Sequence, residues 1–465
     1  MADYVDALLD SLKAGLDALP YKELYMGFFL VVTMFHMALD MRQLRAIRRP
    51  HPPKELHGLF KDKGLYAKTQ AYSLDKWWFG LAHGLVGTAE TAAMVAFNGI
   101  PWAWASSGRA VTTLQLVALR FLPTSTLSLL ALNSDASPEA VERWQSVMFV
   151  LIAAGWSMVS DLPWSLYSTF VIETKHGFNK STLGLFFKDM LTSTALGLVI
   201  MPPVVLGLTA ILQLASQWVA VYLWAFFLAL ALFMLAIFPT LIQPLFNKYE
   251  PLPAGPLREQ IEGLAVKLQF PLRKLFLVDG SKRSGHSNAY MFGFGRNKRI
   301  VLYDTLIKQC SEPEIVAVLG HELGHWKLGH VTVNFAMGQA ITLLHFSLLT
   351  LVRATPALYT SFGFKSQPAL MSVILFGLIS SPLDEVVNFL MHVVSRAFEF
   401  QADGFAVGLG YGEHLRTALV VMQEENKGTM HVDPLYSAYH YSHPPLVERL
   451  KAINAGVTAL AQKIK

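Results

Sequence analysis

Two histidines and a glutamate in residues 321–325 form the residue pattern with the clearest chemical meaning in this chain. His321 and His325 are four positions apart in a segment with helical periodicity, so both side chains project from one face of the predicted helix. Two imidazoles on one helix face can bind a single tetrahedral Zn²⁺. Glu322 would lie beside the metal, where its carboxylate can accept a proton from a water molecule whose pKa the metal lowers to about 7. The alternative is a chance pattern on a polar helix face, which the low number of histidines, 15 in 465 residues, disfavours.

A catalytic zinc site needs a third protein ligand and one open position. His330 lies five residues after His325, about 140° further around the helix, and we interpret it as a helix-end residue. Glu399 is the better candidate, because it forms a second i, i+4 pair with Asp403 on another predicted helix. Asp403 would then hydrogen-bond the free nitrogen of a zinc-bound histidine and set its tautomer. The alternatives are a solvated acidic helix face and the rival carboxylate Glu385, which lies in a predicted membrane span.

The elements that position these residues are predicted to be embedded in a membrane. Hydrophobic residues make up 53% of the chain and charged residues 15%, whereas a soluble protein has about 25% charged residues. The one cysteine, Cys310, excludes an internal disulfide framework, and no run of Lys and Arg suggests nucleic-acid binding. Segments of about 20 mostly apolar residues predict seven spans: 24–41, 77–100, 146–170, 190–214, 218–239, 331–352 and 368–393. An eighth, weaker candidate, 111–132, is interpreted as an interfacial or loop segment because it contains Arg120 and Pro123.

The basic residues determine the predicted orientation of the bundle. Loops rich in Lys and Arg follow the first, third and fifth predicted spans, so these loops and the C-terminus are assigned to the cytosol and the N-terminus to the lumen. The segment 331–393 leaves the cytosolic face and returns to it, which brings the motif at 321–325 and Glu399 to one membrane surface. The glycosylation sequon at Asn179 is then cytosolic and is predicted to carry no glycan.

The predicted fold is mainly α, with a seven-transmembrane-helix bundle and a cytosolic-side, gluzincin-like zinc peptidase domain that contains a small β-hairpin. The N-terminal region 1–240 holds an amphipathic helix and five spans. The peptidase domain is divided between 241–330 and 394–465, on either side of the span pair 331–393. The amphipathic helix is indicated by four leucines on one face: Leu8, Leu9, Leu12 and Leu16.

The predicted hairpin is a candidate for substrate binding. It consists of the strand-like segments 289–294 and 299–303. An exposed edge of the hairpin could align an extended peptide by strand addition, with Asn288 and Ala289 in contact with the peptide.

Three segments resemble the type 1 CAAX prenyl protease family: 321–330, 395–403 and 440–449, with shorter matching stretches in the same order from about residue 71 onward. The resemblance implies an integral membrane zinc protease with one Zn²⁺ per chain, whose seven helices enclose a water-filled chamber. Members of the family remove the last three residues of prenylated C-a-a-X proteins, and some make a second, upstream cut. The implied site residues are His321, His325 and Glu399 as metal ligands, Glu322 as catalytic base, and His443 and Arg449 near the substrate or the oxyanion.

Several of the polar residues have a second interpretation when the family is set aside. His443, which precedes two prolines, could donate to a developing oxyanion or be an ordinary loop histidine. Arg449 could equally be a surface salt-bridge residue. Polar residues within predicted spans indicate either an interior cavity or pairing between packed helices: His83, Glu90, Asp161 and Asn388.

The resemblance also implies a location and partners. We expect a monomer in the endoplasmic reticulum membrane and the inner nuclear membrane, which acts on a prenylated CAAX protein or peptide and binds no nucleic acid. A close alternative is a membrane quality-control zinc protease that cleaves misfolded membrane proteins, although such relatives have fewer spans. A transporter or scaffold with an inert HExxH motif is disfavoured by the joint presence of the three matching segments.

Overall fold

The computed structural model describes residues 11, 14–293, 295 and 297–464. Within these residues the chain is mostly helical, and the helices are α1 (Tyr21–Ile47), α2 (Leu65–Ala96), α3 (Gly99–Phe121), α4 (Thr124–Leu129), α5 (Pro138–Tyr167), α6 (Leu183–Leu212), α7 (Val219–Ile237), α8 (Pro256–Leu268), α9 (Asp304–Gln309), α10 (Glu312–Lys327), α11 (His330–Val352), α12 (Pro356–Ser361), α13 (Ala369–Ile379), α14 (Ser381–Gly408), α15 (Gly412–Glu425), α16 (Pro434–His440) and α17 (Leu446–Ile464). The strands are β1 (Tyr249–Pro251), β2 (Leu272–Val278), β3 (Ala289–Phe292) and β4 (Lys298–Tyr303).

The predicted N-terminal amphipathic helix falls mostly outside the described residues. Leu8, Leu9 and Leu12 are not described, and Leu16 lies in a helical turn at 14–17.

Fewer helices qualify as membrane spans than the seven that the sequence predicts. Among the described residues, five helical segments are long and apolar enough to cross a membrane: Tyr21–Ile47, Pro138–Glu173, Leu183–Leu212, Val219–Leu245 and His330–Val352. A sixth span exists if α13 and α14, which meet at a bend of 61°, count as one. The predicted span 77–100 covers the second half of α2, which is 32 residues long but is made less apolar by His83 and Glu90, and it ends at the start of α3. The prediction of seven is therefore one or two higher than length and composition support.

The weak candidate 111–132 is helical over most of its length, so the loop alternative is wrong, while its interpretation as an interfacial segment stays a prediction. It contains the end of α3 and all of α4. Pro123 separates the two helices, because proline cannot donate a backbone hydrogen bond within a continuous helix.

Histidine–carboxylate pairs join neighbouring membrane helices. His83 Nε2 lies 3.3 Å from Asp161 Oδ1 and connects α2 to α5. His345 Nε2 lies 2.7 Å from Asp384 Oδ1 and connects α11 to α14. The pairing between helices that the sequence analysis left open is therefore present for His83 and Asp161. Because such groups would be costly against lipid hydrocarbon, we expect them to face the interior of the bundle, and their contact with an interior cavity stays a prediction.

A four-stranded mixed sheet lies between the membrane helices in sequence, with strand order β1-β2-β4-β3. The strand β2 pairs in parallel with β4, while β3 pairs antiparallel with β4, from Ala289 opposite Leu302 to Phe292 opposite Arg299. The predicted hairpin is therefore present, and β3 is an edge strand. Ile300, Val301 and Leu302 of β4 are all buried, as expected for a strand covered on both faces.

The sheet and the helices around it share one apolar core. It includes Ile261 of α8, Leu302 of β4 and Leu319 of α10, each almost completely buried. Because α10 carries the motif at 321–325, this core fixes the motif relative to the sheet.

Candidate metal centre

The helix α10 begins and ends at defined signals on either side of the histidine motif. Ser311 and Glu314 form a reciprocal capping box at its start, with the Glu314 carboxylate accepting from the Ser311 backbone N–H at 2.8 Å. At the other end, Gly329 has φ +76°, a left-handed conformation that glycine adopts without steric cost. The chain turns there and enters α11 at His330. The metal motif therefore occupies the last two turns of a well-capped helix.

A close contact between α10 and α14 brings the distant third carboxylate to this helix. A Cβ added to Gly324 would lie 3.1 Å from the Phe405 ring and 3.4 Å from the Cα of Ala402. The small residues on both sides allow the two backbones to approach closely. Glu399, one turn before Ala402 on α14, is thereby placed opposite the two histidines.

Three donor groups from these two helices converge on one point. His321 Nε2 and His325 Nε2 are 3.2 Å apart. Glu399 Oε1 lies 3.3 Å from His325 Nε2, and Glu399 Oε2 lies 3.5 Å from His321 Nε2. The ligand atoms of the three residues all lie within 4.8 Å of one another.

The convergent residues fit a divalent cation. Glu399 is 4% exposed, and its buried Oε2 has no hydrogen-bond partner among the described residues. The Arg449 guanidinium, with Nη1 3.5 Å from Oε2, offsets part of the cost of this buried oxygen without forming a hydrogen bond to it. A cation between the oxygen and two imidazole nitrogens would remove the rest of that cost. Two histidines and one carboxylate also leave one coordination position open, as catalytic metal sites require.

Asp403 orients the first histidine. Its Oδ1 lies 2.9 Å from His321 Nδ1, so Nδ1–H donates to the carboxylate and the Nε2 lone pair is directed at the metal point. Arg449 donates to the same carboxylate through Nε and Nη2, at 2.9 Å and 2.6 Å. Burial by itself would lower the pKa of Arg449, but the hydrogen bonds to Asp403 and the surrounding carboxylates raise it. Arg449 is therefore a buried ion-pair residue and not the surface salt-bridge residue of the alternative interpretation.

Glu322 lies on α10 between the two histidines in sequence and is partly buried. Burial raises the pKa of its carboxyl above the ordinary value, and this effect outweighs the opposing charges of the two histidines. A carboxylate whose pKa is raised in this way is a better proton acceptor than a solvated glutamate.

His443 lies beside the third carboxylate. Its Nε2 is 3.3 Å from Glu399 Oε1, and its side chain is 66% exposed. It lines a cavity of about 370 Å³ together with His440, Tyr441 and Pro444. A substrate in this cavity would meet the His443 imidazole directly.

The segment that carries His443 is fastened to the membrane helices. The Tyr439 hydroxyl donates to Glu385 of α14, and His392 Nδ1 donates to the Tyr439 carbonyl at 2.7 Å. His36 Nε2 of α1 also lies 3.3 Å from the Tyr439 hydroxyl. Glu385, the rival ligand candidate, is therefore a partner of Tyr439 and is not among the grouped metal donors.

Asn288 and Ala289, the predicted substrate-contacting residues, lie at the start of the edge strand β3. The Asn288 carbonyl accepts from the Tyr303 N–H at 3.1 Å, which continues the β3–β4 pairing. The structure thus places both residues on a sheet edge, and their contact with substrate stays a prediction.

His330 is the site residue that the sequence interpretation missed. It stands at a helix end as expected, but it is 3% exposed and its Nδ1 lies 3.0 Å from His325 Nδ1. The five-residue spacing gave no signal, because the turn at Gly329 separates the two histidines onto different helices.

Known proteins resemble this chain over nearly all of its length. Residues 43–248 match the family described as CAAX prenyl protease N-terminal, five membrane helices, and residues 251–457 match peptidase family M48. The CAAX prenyl protease 1 homolog of Arabidopsis thaliana is 50% identical over 94% of this chain and 98% of its own length. The homolog of Homo sapiens is 38% identical over 95% of this chain and 98% of its own length.

A solved structure has the same fold. The crystal structure of S. mikatae Ste24p aligns with a TM-score of 0.82 and 36% identity, over 94% of this chain and 99% of that chain. The prediction of a mainly α membrane protein with a small sheet is confirmed. The matched N-terminal family has five membrane helices, and the match covers residues 43–248 of this chain. Three of the described helical segments in this region are apolar enough to cross a membrane. The two further long helices there are α2 and α3.

Proposed function

The chain belongs to the CAAX prenyl protease 1 family of M48 peptidases, and from this premise we propose how its metal centre works. It is a membrane metalloendopeptidase that removes the last three residues of prenylated C-a-a-X proteins. The resemblance seen in the sequence is confirmed by relatives that are 35–50% identical.

We propose that the metal is zinc, one ion per chain, held by His321, His325 and Glu399. The observation that carries this proposal is the convergence of two imidazole nitrogens and a carboxylate with a buried, unpartnered oxygen. Two nitrogens, one carboxylate and an open position form the ligand set of catalytic zinc in peptidases. Bound zinc would polarise the scissile carbonyl and lower the pKa of a water molecule to about 7.

Glu322 is the proposed general base. Its carboxylate takes a proton from the water that attacks the scissile carbonyl carbon. It returns the proton to the amide nitrogen as the C–N bond breaks. The products are a new carboxyl terminus on the prenylated cysteine and a tripeptide with a free amino terminus.

His443 and Arg449 have different proposed roles. The exposed His443 imidazole is able to reach substrate in the adjoining cavity, so we assign it to hydrogen bonding with the oxyanion. The Arg449 side chain is 13% exposed and donates to Asp403, so we propose that Arg449 acts by positioning Asp403 and Glu399.

The edge strand β3 is the proposed guide for the peptide. Its partner β4 occupies one side only, and an extended peptide can add to the other side through backbone hydrogen bonds. Such pairing, at Asn288 and Ala289, is independent of peptide sequence and suits a protease that processes many protein tails.

Cleavage of a synthetic substrate tests this function. Purified protein in liposomes is incubated with a farnesylated C-a-a-X peptide or its unprenylated counterpart, and mass spectrometry identifies the products. We expect release of the intact C-terminal tripeptide from the farnesylated peptide and loss of this product in Glu322→Ala. Equal cleavage of both peptides at scattered positions would instead favour the membrane quality-control protease.

We also propose a monomer in the endoplasmic reticulum membrane with its metal centre on the cytosolic side. The distribution of basic loops supports this orientation. The sequon residue Asn179 already uses its side chain to bond Thr174 and the Ser181 N–H. Electrophoresis before and after glycosidase treatment should show no shift, and a shift that Asn179→Gln abolishes would reverse the orientation.

A further inference from the structure

A chain of three polar side chains runs from the second metal histidine to the helix that supplies the third ligand. His325 Nδ1 lies 3.0 Å from His330 Nδ1, and His330 Nε2 lies 3.0 Å from Gln401 Oε1. Gln401 lies two residues after Glu399 on α14. The second metal histidine is thus connected to α14 through His330, whereas His321 contacts Asp403 of α14 directly.

The proton positions along this chain follow from the amide oxygen at its end. An amide oxygen only accepts hydrogen bonds, so His330 Nε2 must carry a proton. In the neutral imidazole the other nitrogen, His330 Nδ1, is then an acceptor. His325 must therefore donate from its Nδ1, which leaves the His325 Nε2 lone pair free toward His321 and Glu399. The reverse arrangement would place a proton on His325 Nε2 and block metal binding.

We propose that His330 and Gln401 form a tautomer relay that holds His325 in its metal-binding form. They are positioning residues that act through His325, since neither belongs to the group of converging donors. The proposal rests on the metal site of the proposed function and assigns that site a second supporting residue pair.

The surroundings of His330 keep the relay in place. The imidazole is 3% exposed, and it stacks on the Phe398 ring with 4.0 Å between centroids and 4° between planes. The stacking fixes the ring plane, so the hydrogen bonds decide only which nitrogen carries the proton. Hydrogen-bond partners behind a metal-bound histidine typically change metal affinity by about 10–100-fold.

Two substitutions of His330 separate the relay from a packing role. His330→Phe keeps an aromatic ring against Phe398 but removes the acceptor for His325. His330→Asn loses the stacking but places Oδ1 where Nδ1 was, so an acceptor for His325 Nδ1–H remains. The relay predicts that zinc affinity falls by about 10–100-fold in His330→Phe and stays near that of wild type in His330→Asn. A packing role predicts the opposite order.

Gln401→Leu completes the test as a double-mutant cycle. In the wild-type background this substitution should weaken zinc binding, because His330 is no longer held in one tautomer. In the His330→Asn background Gln401→Leu should have no effect on zinc binding. The amide oxygen of the introduced asparagine accepts from His325 Nδ1–H whether or not Gln401 is present. The matched control is His345→Phe, which removes a hydrogen-bonded histidine from the same helix α11 away from the metal.

Zinc affinity is measured by chelator competition on the full-length protein in detergent, and the visible spectrum of the cobalt-substituted protein reports the ligand geometry. Unchanged affinity in His330→Phe, or an equal effect of Gln401→Leu in both backgrounds, would overturn the relay. The outcome for the metal site is separate, since retention of zinc by Glu399→Ala would contradict that site whatever His330 does.

Discussion

Removal of the Asp403 carboxylate should lower both the free energy of unfolding and the affinity for zinc. The two effects have different causes, so a second substitution can separate them. The carboxylate is 1% exposed and joins the 13%-exposed Arg449 to His321. Asp403→Ala leaves Arg449 buried without its bidentate partner, which costs about 3–5 kcal/mol of folding free energy when a buried pair is broken. Arg449 still lies 3.5 Å from Glu399, so we expect the lower end of that range.

The effect on metal affinity has a different origin. Loss of the acceptor behind His321 Nδ1 should weaken zinc binding by about 10–100-fold, or about 1.4–2.7 kcal/mol. In the double variant Asp403→Ala, Arg449→Met the unpaired charge is gone, so stability should recover in large part while zinc affinity stays low.

Denaturant or thermal unfolding in detergent gives the stability, and chelator competition gives the zinc affinity. The matched control is Arg42→Met, which removes the half-exposed partner of another bidentate pair and leaves the Asp433 carboxylate in place as the cap of α16. It should cost about 1 kcal/mol or less and leave zinc binding unchanged. If zinc affinity recovered together with stability in the double variant, Asp403 would be a structural residue with no direct effect on His321.

Three further predictions concern groups outside the metal donors. Burial raises the pKa of Cys310, the one cysteine of the chain, to about 12, so iodoacetamide at pH 8 should modify only the unfolded protein. Mass spectrometry of the folded protein should show no adduct, and rapid labelling of the folded protein would contradict the burial of Cys310. Burial, with help from neighbouring histidines, lowers the pKa of His440 from 6.5 to about 4. The contribution of neutral His440 to stability is therefore present above pH 6.5 and is lost as the pH falls toward 4. The melting temperature should drop between pH 7 and pH 5, and it should drop less in His440→Gln. An equal drop in wild type and His440→Gln would refute this assignment. Glu385→Leu removes the charged acceptor of the Tyr439 hydroxyl, which should lower the free energy of unfolding by about 1.5–3 kcal/mol. Because Tyr439 holds the segment that carries His443, kcat should also fall while the zinc content stays unchanged, whereas loss of zinc would place Glu385 at the metal.

The sequence predicts the local half of the metal centre well, because that half depends on helical periodicity. The four-residue spacing of His321 and His325 places both rings on one face of α10 whatever surrounds the helix. Glu399 is 74 positions beyond His325, and its prediction rests on its i, i+4 pair with Asp403 and on the intervening apolar segments, which return the chain to the same membrane surface.

Features that depend on contacts between distant elements were not predictable in the same way. The residues His330 and Gln401 share no helix, and the turn at Gly329 that brings His330 back to His325 has no periodic signature. The partner of Glu385 is Tyr439, 54 positions away, on a short helix that only tertiary packing places against α14. The number of spans stays a prediction for a related reason, since five or six helical segments among the described residues qualify by apolar length, while α2, which contains His83 and Glu90, is long but less apolar.

The most direct test of the account is to measure bound zinc and peptide turnover together in four single variants. We predict that His321→Ala, His325→Ala and Glu399→Ala lose both zinc and cleavage of a farnesylated C-a-a-X peptide. Glu322→Ala should keep one zinc per chain while its turnover falls by at least about 10³-fold, since it lacks only the proton acceptor. Full zinc content in Glu399→Ala, or near wild-type turnover in Glu322→Ala, would contradict the central claim.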